Sequence, residues 1–210
     1  MIIEQPSRWL RWIYPKALWR MDATEHSVYL TFDDGPIPEA TPFILDTLKE
    51  FGIQATFFVV GENVSRHPEL LERIKAEGHR VGNHTYNHMG SLRHYIRTYM
   101  NNVEMCNALI DSDLFRPPHG WMWISAYNLL RRRYKVVMWD LVTRDYSHLL
   151  NAFDVFRNVV LYARNGSIIT FHDSLKSIEK LRYALPASLR YLKDQGYEFK
   201  TFEYRIKNIE

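Results

Sequence analysis

The pattern that most restricts the fold of this chain is a regular alternation of short apolar runs with longer amphipathic segments. Continuous runs rich in β-branched and aromatic residues are typical of strands that are buried on both faces. The segments between them have helical periodicity, and several end just before a glycine, which can terminate a helix. This alternation predicts a parallel sheet whose faces are covered. The predicted strands are residues 28–32, 55–60, 80–83, 114–115, 136–139, 167–171 and, less clearly, 197–202; the predicted helices are residues 38–51, 68–77, 92–110, 125–133, 154–164 and 176–195.

About seven strands can form a doubly wound open sheet or a barrel-like sheet, although 210 residues are few for a complete eight-stranded barrel of ~250 residues. Polar side chains at the strand ends favour the barrel, because the carboxyl ends of its parallel strands converge on one rim. We therefore predict an α/β fold, a distorted (β/α) barrel of about seven parallel strands. The strand-end residues are Asp33 and Asp34 after the first strand, His84 after the third, Arg116 after the fourth, Asp140 at the end of the fifth and His172 at the end of the sixth.

The composition excludes several classes of protein. Apolar residues make up 46% of the chain and charged residues 24%, which is unlike a disordered chain, a collagen-like fibre or a coiled coil. With 27 basic and 24 acidic residues, the net charge of +3 is too small to indicate nucleic-acid binding by phosphate neutralisation. Cys106 is the only cysteine, which excludes an internal disulfide and a zinc site made of several thiolates. Nine histidines remain as candidate metal ligands.

Residues 1–26 form an aromatic and basic N-terminal segment, and residues 27–210 are predicted to form a single domain. Residues 7–20 permit two interpretations: an interfacial helix on an anionic membrane, or a short helix that plugs one end of the fold. We favour the plug because Pro15 interrupts the pattern. No stretch reaches the ~20 apolar residues of a membrane span, and no apolar core of a signal peptide is readable. We therefore expect a cytoplasmic protein, for which a weak membrane contact through residues 7–20 is the less favoured alternative; the sequence does not indicate an oligomeric state.

Two clusters of residues suggest a metal site. Asp33 and Asp34 precede a Gly-Pro turn that can make their side chains diverge, although a solvated turn explains this motif equally well. His84 and His88 are four residues apart, so on a helical turn they would share a face and could chelate one ion. Two unrelated histidines are the alternative. Asp34 fits as a third ligand, which gives two imidazoles, one carboxylate and an open position for water, as in catalytic zinc sites.

Two further clusters suggest groups that act around such a site. In Arg116-Pro117-Pro118-His119-Gly120 the prolines have no N–H, so His119 carries the first backbone donor, which could serve an oxyanion hole. Arg116 could pair with Asp33 and keep it ionised, or the motif could be a rigid connection with a structural ion pair. His172 is a candidate general acid whose charged form either Asp145 or Asp140 would favour; alone, it is better explained as a core histidine.

Taken together, these motifs resemble the polysaccharide deacetylases of the NodB-homology type, also called carbohydrate esterase family four. The resemblance covers about residues 27–202 and depends on the Thr-Phe-Asp-Asp-Gly-Pro, His-Thr-x-x-His and Arg-Pro-Pro-x-Gly motifs. The chain departs from the usual pattern at His119, Tyr146 and Thr170, which are expected to alter the walls of the cleft. The roles that the resemblance implies are general base for Asp33, metal ligands for Asp34, His84 and His88, support of the base for Arg116, general acid for His172 and tuning of the acid for Asp145.

The resemblance implies a metal-dependent hydrolase that removes acetyl groups from N-acetylated sugars. Zinc is the expected ion for two histidines and one aspartate, with cobalt, nickel or manganese as substitutes. Because a fold does not determine the substrate, an ester deacetylase or another amide hydrolase remains an alternative. A carbohydrate-binding relative without turnover is a third alternative, which the complete set of catalytic side chains disfavours.

Overall fold

Parallel strands form the central sheet of the computed structural model, which describes residues 4–202. Within these residues, seven strands follow one path in the order β5-β4-β3-β2-β1-β7-β6, and an eighth, β8, pairs with the start of β1. The predicted α/β class and the barrel-like sheet of about seven parallel strands are confirmed. The strands are β1 Ser27–Asp33, β2 Thr56–Val59, β3 Arg80–Asn83, β4 Leu114–Phe115, β5 Lys135–Val136, β6 Leu141–Val142, β7 Ser167–His172 and β8 Glu198–Phe199.

Helices cover this sheet and connect its strands. Most of them lie where the amphipathic periodicity predicts them, but the helix over residues 61–66 was not predicted. No helix in the described part of the chain is long and apolar enough to cross a bilayer. The helices are α1 Arg8–Ile13, α2 Thr41–Phe51, α3 Gly61–Arg66, α4 Pro68–Ala76, α5 Ile96–Ile110, α6 Ile124–Leu130, α7 Ala152–Tyr162 and α8 Ile178–Asp194.

The alternation of side chains along β1 determines what enters the barrel. Leu30 and Phe32 join the large apolar cluster that contains residues of α2, α7 and α8, so this face of the strand is covered by helices. Tyr29, on the opposite face, belongs to a separate cluster with residues of β2, β4 and β7. The period of two in a strand places Thr31 and Asp33 on the same face as Tyr29. Asp33 is the last residue of β1, so its carboxylate lies at the carboxyl rim.

The predicted fifth strand, residues 136–139, is wrong, because β5 ends at Val136 and a new strand, β6, begins at Leu141. Asp140 lies between them and is fully buried. Its carboxylate accepts hydrogen bonds from Arg11, Arg164 and Ser167 at 2.6–2.8 Å. Ser167 begins β7, so Asp140 lies at the amino end of the sheet, opposite the rim where it was expected. Its two arginine partners compensate the cost of burying its charge.

The described part of the N-terminal segment packs into the fold. Tyr14 is buried in an apolar cluster that also includes a residue of α1, and its hydroxyl donates to the carbonyl of Met122 at 2.6 Å. Leu18 then forms a parallel bridge with Val137, which follows β5. The helix α1 ends at Ile13, before Pro15, as the sequence predicts. The segment thereby covers the open side of the sheet next to β5.

Candidate metal centre and active site

A cleft of about 1220 Å³ opens at the carboxyl ends of the strands. Of the eight residues that the sequence predicts for the site, seven line this cleft, and Asp145 lies behind His172. The barrel-like curvature therefore brings together residues that are up to 139 positions apart in the chain. The seven residues are Asp33, Asp34, His84, His88, Arg116, His119 and His172.

Asp34, His84 and His88 form a compact group of metal-binding atoms. One ligand atom from each lies within 4.8 Å of the others, and no other group of three or more such residues was found in the described residues. The Oδ1 atom of Asp34 is 3.3 Å from Nε2 of His88 and 3.7 Å from Nε2 of His84. Although burial alone would raise the pKa of Asp34, a hydrogen bond from His88 and the nearby imidazoles hold it well below its usual range. Two nitrogens and one carboxylate oxygen therefore face a common point.

The two histidines converge through a loop, and the predicted helical turn is wrong. β3 ends at Asn83, and residues 84–90 contain no helix. Thr85 and His88 have φ angles of 66° and 56°, which are uncommon for residues other than glycine. The hydroxyl of Thr85 accepts the backbone N–H of Met89 at 2.9 Å and stabilises the loop. Asp34 also has a left-handed φ of 87°, and such strain is found mostly at functional sites.

The chemistry of the donor set fits a divalent cation. His84 is buried, and its Nδ1 lies 2.8 Å from the carbonyl oxygen of Arg116. A carbonyl can only accept, so Nδ1 carries the proton and Nε2 presents its lone pair to the group. Burial lowers the pKa of His84 to about 4, which keeps the imidazole in the neutral form that binds metals. Two imidazole nitrogens and an ionised carboxylate suit zinc and its neighbours.

Asp33 is held by a buried arginine. Nη1 of Arg116 donates to Oδ1 of Asp33 at 2.6 Å and to the hydroxyl of Thr31 at 2.8 Å, and Nη2 donates to the carbonyl of Met138 at 2.7 Å. The guanidinium also lies 4.2 Å from the centre of the Phe58 ring. Both partners of the ion pair are nearly inaccessible to solvent. Arg116 therefore fixes the position of the Asp33 carboxylate within the cleft.

His172 ends β7 and is held by Asp145. Nδ1 of His172 lies 2.8 Å from Oδ1 of Asp145, and the backbone N–H of His172 donates to Oδ2 at 2.7 Å. The partial desolvation of the ring lowers its pKa, but the buried Asp145 carboxylate outweighs this and raises the pKa of His172 to about 9. Lys180 donates to the carbonyls of Asp145 and Ser147 and holds this loop in place. His172 is therefore protonated at neutral pH and faces the cleft.

The remaining wall contains the residues that depart from the usual family pattern. His119, with a φ of 61° in a tight turn, lies edge-on to His88 with 4.7 Å between the ring centres. Tyr146 packs against His172 in the same way at 4.8 Å. Thr170 lies within 3.2 Å of the hydroxyl of Thr31. All three departures line the cleft, so they change the surface that a substrate meets.

Asp173 is a residue of the cleft to which the sequence analysis assigned no role. It is buried; its Oδ1 accepts the N–H of Gly35 at 3.0 Å and its Oδ2 accepts the hydroxyl of Thr41 at 2.8 Å. The Thr41 hydroxyl in turn accepts the N–H of Ile37. Asp173 thus ties the loop that carries Asp34 to the end of β7. Its position directly after His172, at the end of a predicted strand, is the sequence feature that could have indicated a place in the site.

Comparisons with known proteins agree with this fold. The model of the polysaccharide deacetylase family matches residues 20–132. The chain is 32% identical over 197 residues to a peptidoglycan-N-acetylglucosamine deacetylase of Bacillus cereus, a match that covers 87% of this chain and 89% of that protein. The chain therefore belongs to the polysaccharide deacetylase family.

Two further similarities extend this result. Over 189 residues, the chain is 32% identical to the peptidoglycan-N-acetylmuramic acid deacetylase PdaC of Bacillus subtilis, covering 86% of this chain but 39% of PdaC. The crystal structure of the peptidoglycan N-acetylglucosamine deacetylase Bc1960 superposes with a TM-score of 0.80 and 31% identity, covering 91% of this chain and 93% of that one. The likeness therefore includes nearly the whole fold.

Proposed function

We propose that this protein is a metal-dependent deacetylase that hydrolyses the N-acetyl amide of an amino sugar in a glycan such as peptidoglycan. The observation that carries the proposal is the arrangement of three sets of residues around one cleft. They are the Asp34, His84 and His88 group, the Asp33–Arg116 pair and the Asp145–His172 pair. Two relatives that are 32% identical to this chain over the matched residues are deacetylases of peptidoglycan amino sugars.

The two polar pairs have complementary tasks in the hydrolysis. A divalent cation held by Asp34, His84 and His88 would supply Lewis-acid polarisation of the amide carbonyl and acidify a water molecule. Asp33 accepts a proton from the attacking water, and Arg116 holds the carboxylate in position for this transfer. The backbone N–H of His119 donates to the oxygen that becomes negative as the carbonyl carbon turns tetrahedral. His172 donates its proton to the nitrogen, so that acetate and a free amine leave.

The protonated state of His172 suits the release of an amine. An amine is a poor leaving group unless it is protonated as the C–N bond breaks, and the carboxylate partner of His172 raises the pKa of this imidazole above neutrality. A nitrophenolate leaves without a proton. Loss of His172 should therefore slow amide hydrolysis more than cleavage of this activated ester.

The experiment measures acetate release and metal content in the same preparations. The substrates are an N-acetylated chitooligosaccharide, acetylated xylan and nitrophenyl acetate, and the ion is removed with a chelator and then restored as zinc. We expect zinc-dependent acetate release from the amide substrate. Replacing His84 or His88 by alanine should abolish stoichiometric binding, whereas His94→Ala, a nearby exposed histidine, should retain it. Full zinc content in both ligand variants would refute the metal site.

The His172→Ala variant tests the chemistry. It should lose ~10²–10⁴-fold in amide deacetylation, the usual contribution of a general acid, and far less in nitrophenyl acetate cleavage. Its metal content must equal that of the parent protein. Equal losses on both substrates would show that His172 maintains the site without acting as the acid.

A further inference from the structure

Three stretches of the chain combine aromatic and basic residues and contain no carboxylate. Residues 7–20, 89–103 and 117–135 together contain ten of the 27 lysines and arginines but none of the 24 aspartates and glutamates. An even distribution would place several acidic residues in stretches of this total length. The separation of charge along the sequence therefore raises the question of whether the three stretches meet in the fold.

They meet on one side of the barrel. Tyr14, directly after α1, forms two hydrogen bonds with the backbone of Met122, which precedes α6. The ring of Trp9 packs against that of Trp121 with 5.6 Å between their centres. The backbone N–H of Trp123 donates to the hydroxyl of Ser91, which links the third stretch to the second. The three stretches thus form a continuous surface, which we call the aromatic–basic surface.

Large apolar side chains on this surface are exposed. Trp12 is 81% exposed and Tyr95 is 88% exposed, so neither ring contributes appreciably to the core. Trp9 and Trp123 are about half exposed. A cluster of exposed aromatic residues is unusual on a monomeric soluble surface and marks an interaction site. The surface also contains exposed Leu92, Ile96, Ile124 and Leu129.

Unpaired cations lie among these rings. Arg8, Lys16, Arg93 and Arg97 are exposed, and none of them forms an ion pair with a described residue. Other basic residues of the three stretches have structural partners: Arg11 pairs with buried Asp140. The four unpaired cations therefore remain available to an anionic partner.

We propose that the aromatic–basic surface docks the protein on an anionic lipid membrane. Tryptophan and tyrosine favour the membrane–water interface, and clustered arginine and lysine are attracted to the negative lipid headgroups. A glycan is the other class of partner that stacks on aromatic rings. It is less favoured because the three stretches lack the carboxylates that accept hydrogen bonds from sugar hydroxyls.

Docking would also bring the cleft close to the lipid. Gly120 lines the cleft, and Trp121, the next residue, packs against Trp9 of the aromatic–basic surface. His119 in the same turn contacts the candidate ligand His88. The surface therefore adjoins one wall of the cleft while it contains none of the proposed catalytic or metal-binding side chains except His119, which lies at its border.

The test is co-sedimentation of the whole protein with lipid vesicles, without any substrate. Vesicles of phosphatidylcholine alone are compared with vesicles that contain about one third phosphatidylglycerol, at low and high salt. We expect binding to the anionic vesicles that weakens as salt screens the charges. Trp9→Ser/Trp12→Ser should weaken it at least tenfold, and so should Arg8→Ser/Lys16→Ser. The matched control Tyr183→Ser/Arg190→Ser changes an exposed ring and an exposed cation on α8 and should leave binding unchanged.

The outcome is independent of the proposed function. Acetate release from a soluble oligosaccharide should be unchanged in all these variants, because none of the substituted residues lines the cleft. The melting temperature of each variant shows that it is folded. Equal sedimentation with neutral and anionic vesicles, or none with either, would overturn the proposal. The proposal would also be overturned, in favour of glycan binding, by a second result. In that result the parent and the other variants sediment with insoluble peptidoglycan, and only the Trp9→Ser/Trp12→Ser variant does not.

Discussion

Replacing Asp145 by asparagine tests how one buried carboxylate controls the proton on His172. Asp145 accepts from both the ring and the backbone N–H of His172. Asparagine has nearly the same shape but no charge, and its amide group cannot accept both hydrogen bonds. The pKa of His172, about 9 in the parent protein, should therefore fall toward or below its ordinary value of about 6.5.

The size of the effect follows from the fraction of protonated imidazole. At about pH 8, a group with a pKa of about 9 is about 90% protonated, whereas one with a pKa of about 6.5 is about 3% protonated. If the acid form of His172 is required, amide deacetylation should fall about 30-fold at this pH through the proton alone. At about pH 5.5 both proteins hold the proton, and the loss should be much smaller.

The assay is the pH profile of kcat/KM for acetate release, with the same ion bound to both proteins. The alkaline limb should lie at lower pH in Asp145→Asn than in the parent. Asp46→Asn, which removes an exposed carboxylate on α2, is the control and should leave the profile unchanged. A uniform loss at every pH, with an unshifted alkaline limb, would refute the role of Asp145 in setting the protonation of His172.

The pair should also affect stability in a defined pH range. Folding raises the pKa of His172 from about 6.5 to about 9, so its contribution is fully present below the unfolded value and is lost as the pH rises through the folded value. The stability difference between the parent and Asp145→Asn should therefore be largest near pH 6 and should shrink toward pH 9, as measured by chemical denaturation.

Two further predictions concern the loop that carries the adjacent carboxylates. Asp33→Asn should keep the bound metal and lose ~10²–10⁴-fold in activity, whereas Asp34→Asn should lose the metal as well; metal analysis with the opposite result would reverse the two roles. Gly35→Ala should destabilise the fold by ~1–3 kcal/mol, because an added Cβ would overlap the Asp173 carboxylate. Adding Asp173→Ala to that variant removes the overlap. The loss in free energy of unfolding of the double variant, measured by chemical denaturation, should therefore be smaller than the sum of the losses in the two single variants. Strict additivity would contradict this contact.

The site shows which features depend on local sequence and which depend on the assembled fold. Asp33, Asp34 and His172 could be placed at one rim because each directly follows or ends an apolar run, and parallel strands present their carboxyl ends together. The same reasoning failed for Asp140. An apolar run shows that residues are buried, but whether it forms one strand or two depends on the partners that its neighbours find in the sheet. Arg11 and Arg164, which bind Asp140, are distant from it in the chain, and no local sequence pattern predicts that they contact it.

His84 and His88 give a second example of what local sequence predicts and what the assembled fold determines. The spacing of His84 and His88 correctly indicated that both could reach one point, but a loop with left-handed residues brings them there, and the predicted helical turn is absent. Asp173 was missed because a buried carboxylate is recognised by what it binds, and Gly35 and Thr41 reach it only after β1 and β7 have paired.

The sequence alone determined the α/β class, a parallel sheet of about seven strands and the residue types at the rim, since these follow from the periodicity of burial along the chain. Only the tertiary structure decided that the N-terminal segment covers the sheet beside β5, that Asp140 lies at the opposite end of the barrel, and that Asp145 is the carboxylate that holds His172. These arrangements depend on sheet curvature and on long-range packing. Contacts between distant residues leave no periodic pattern in the chain. They can therefore be identified only when the folded structure places the partners together.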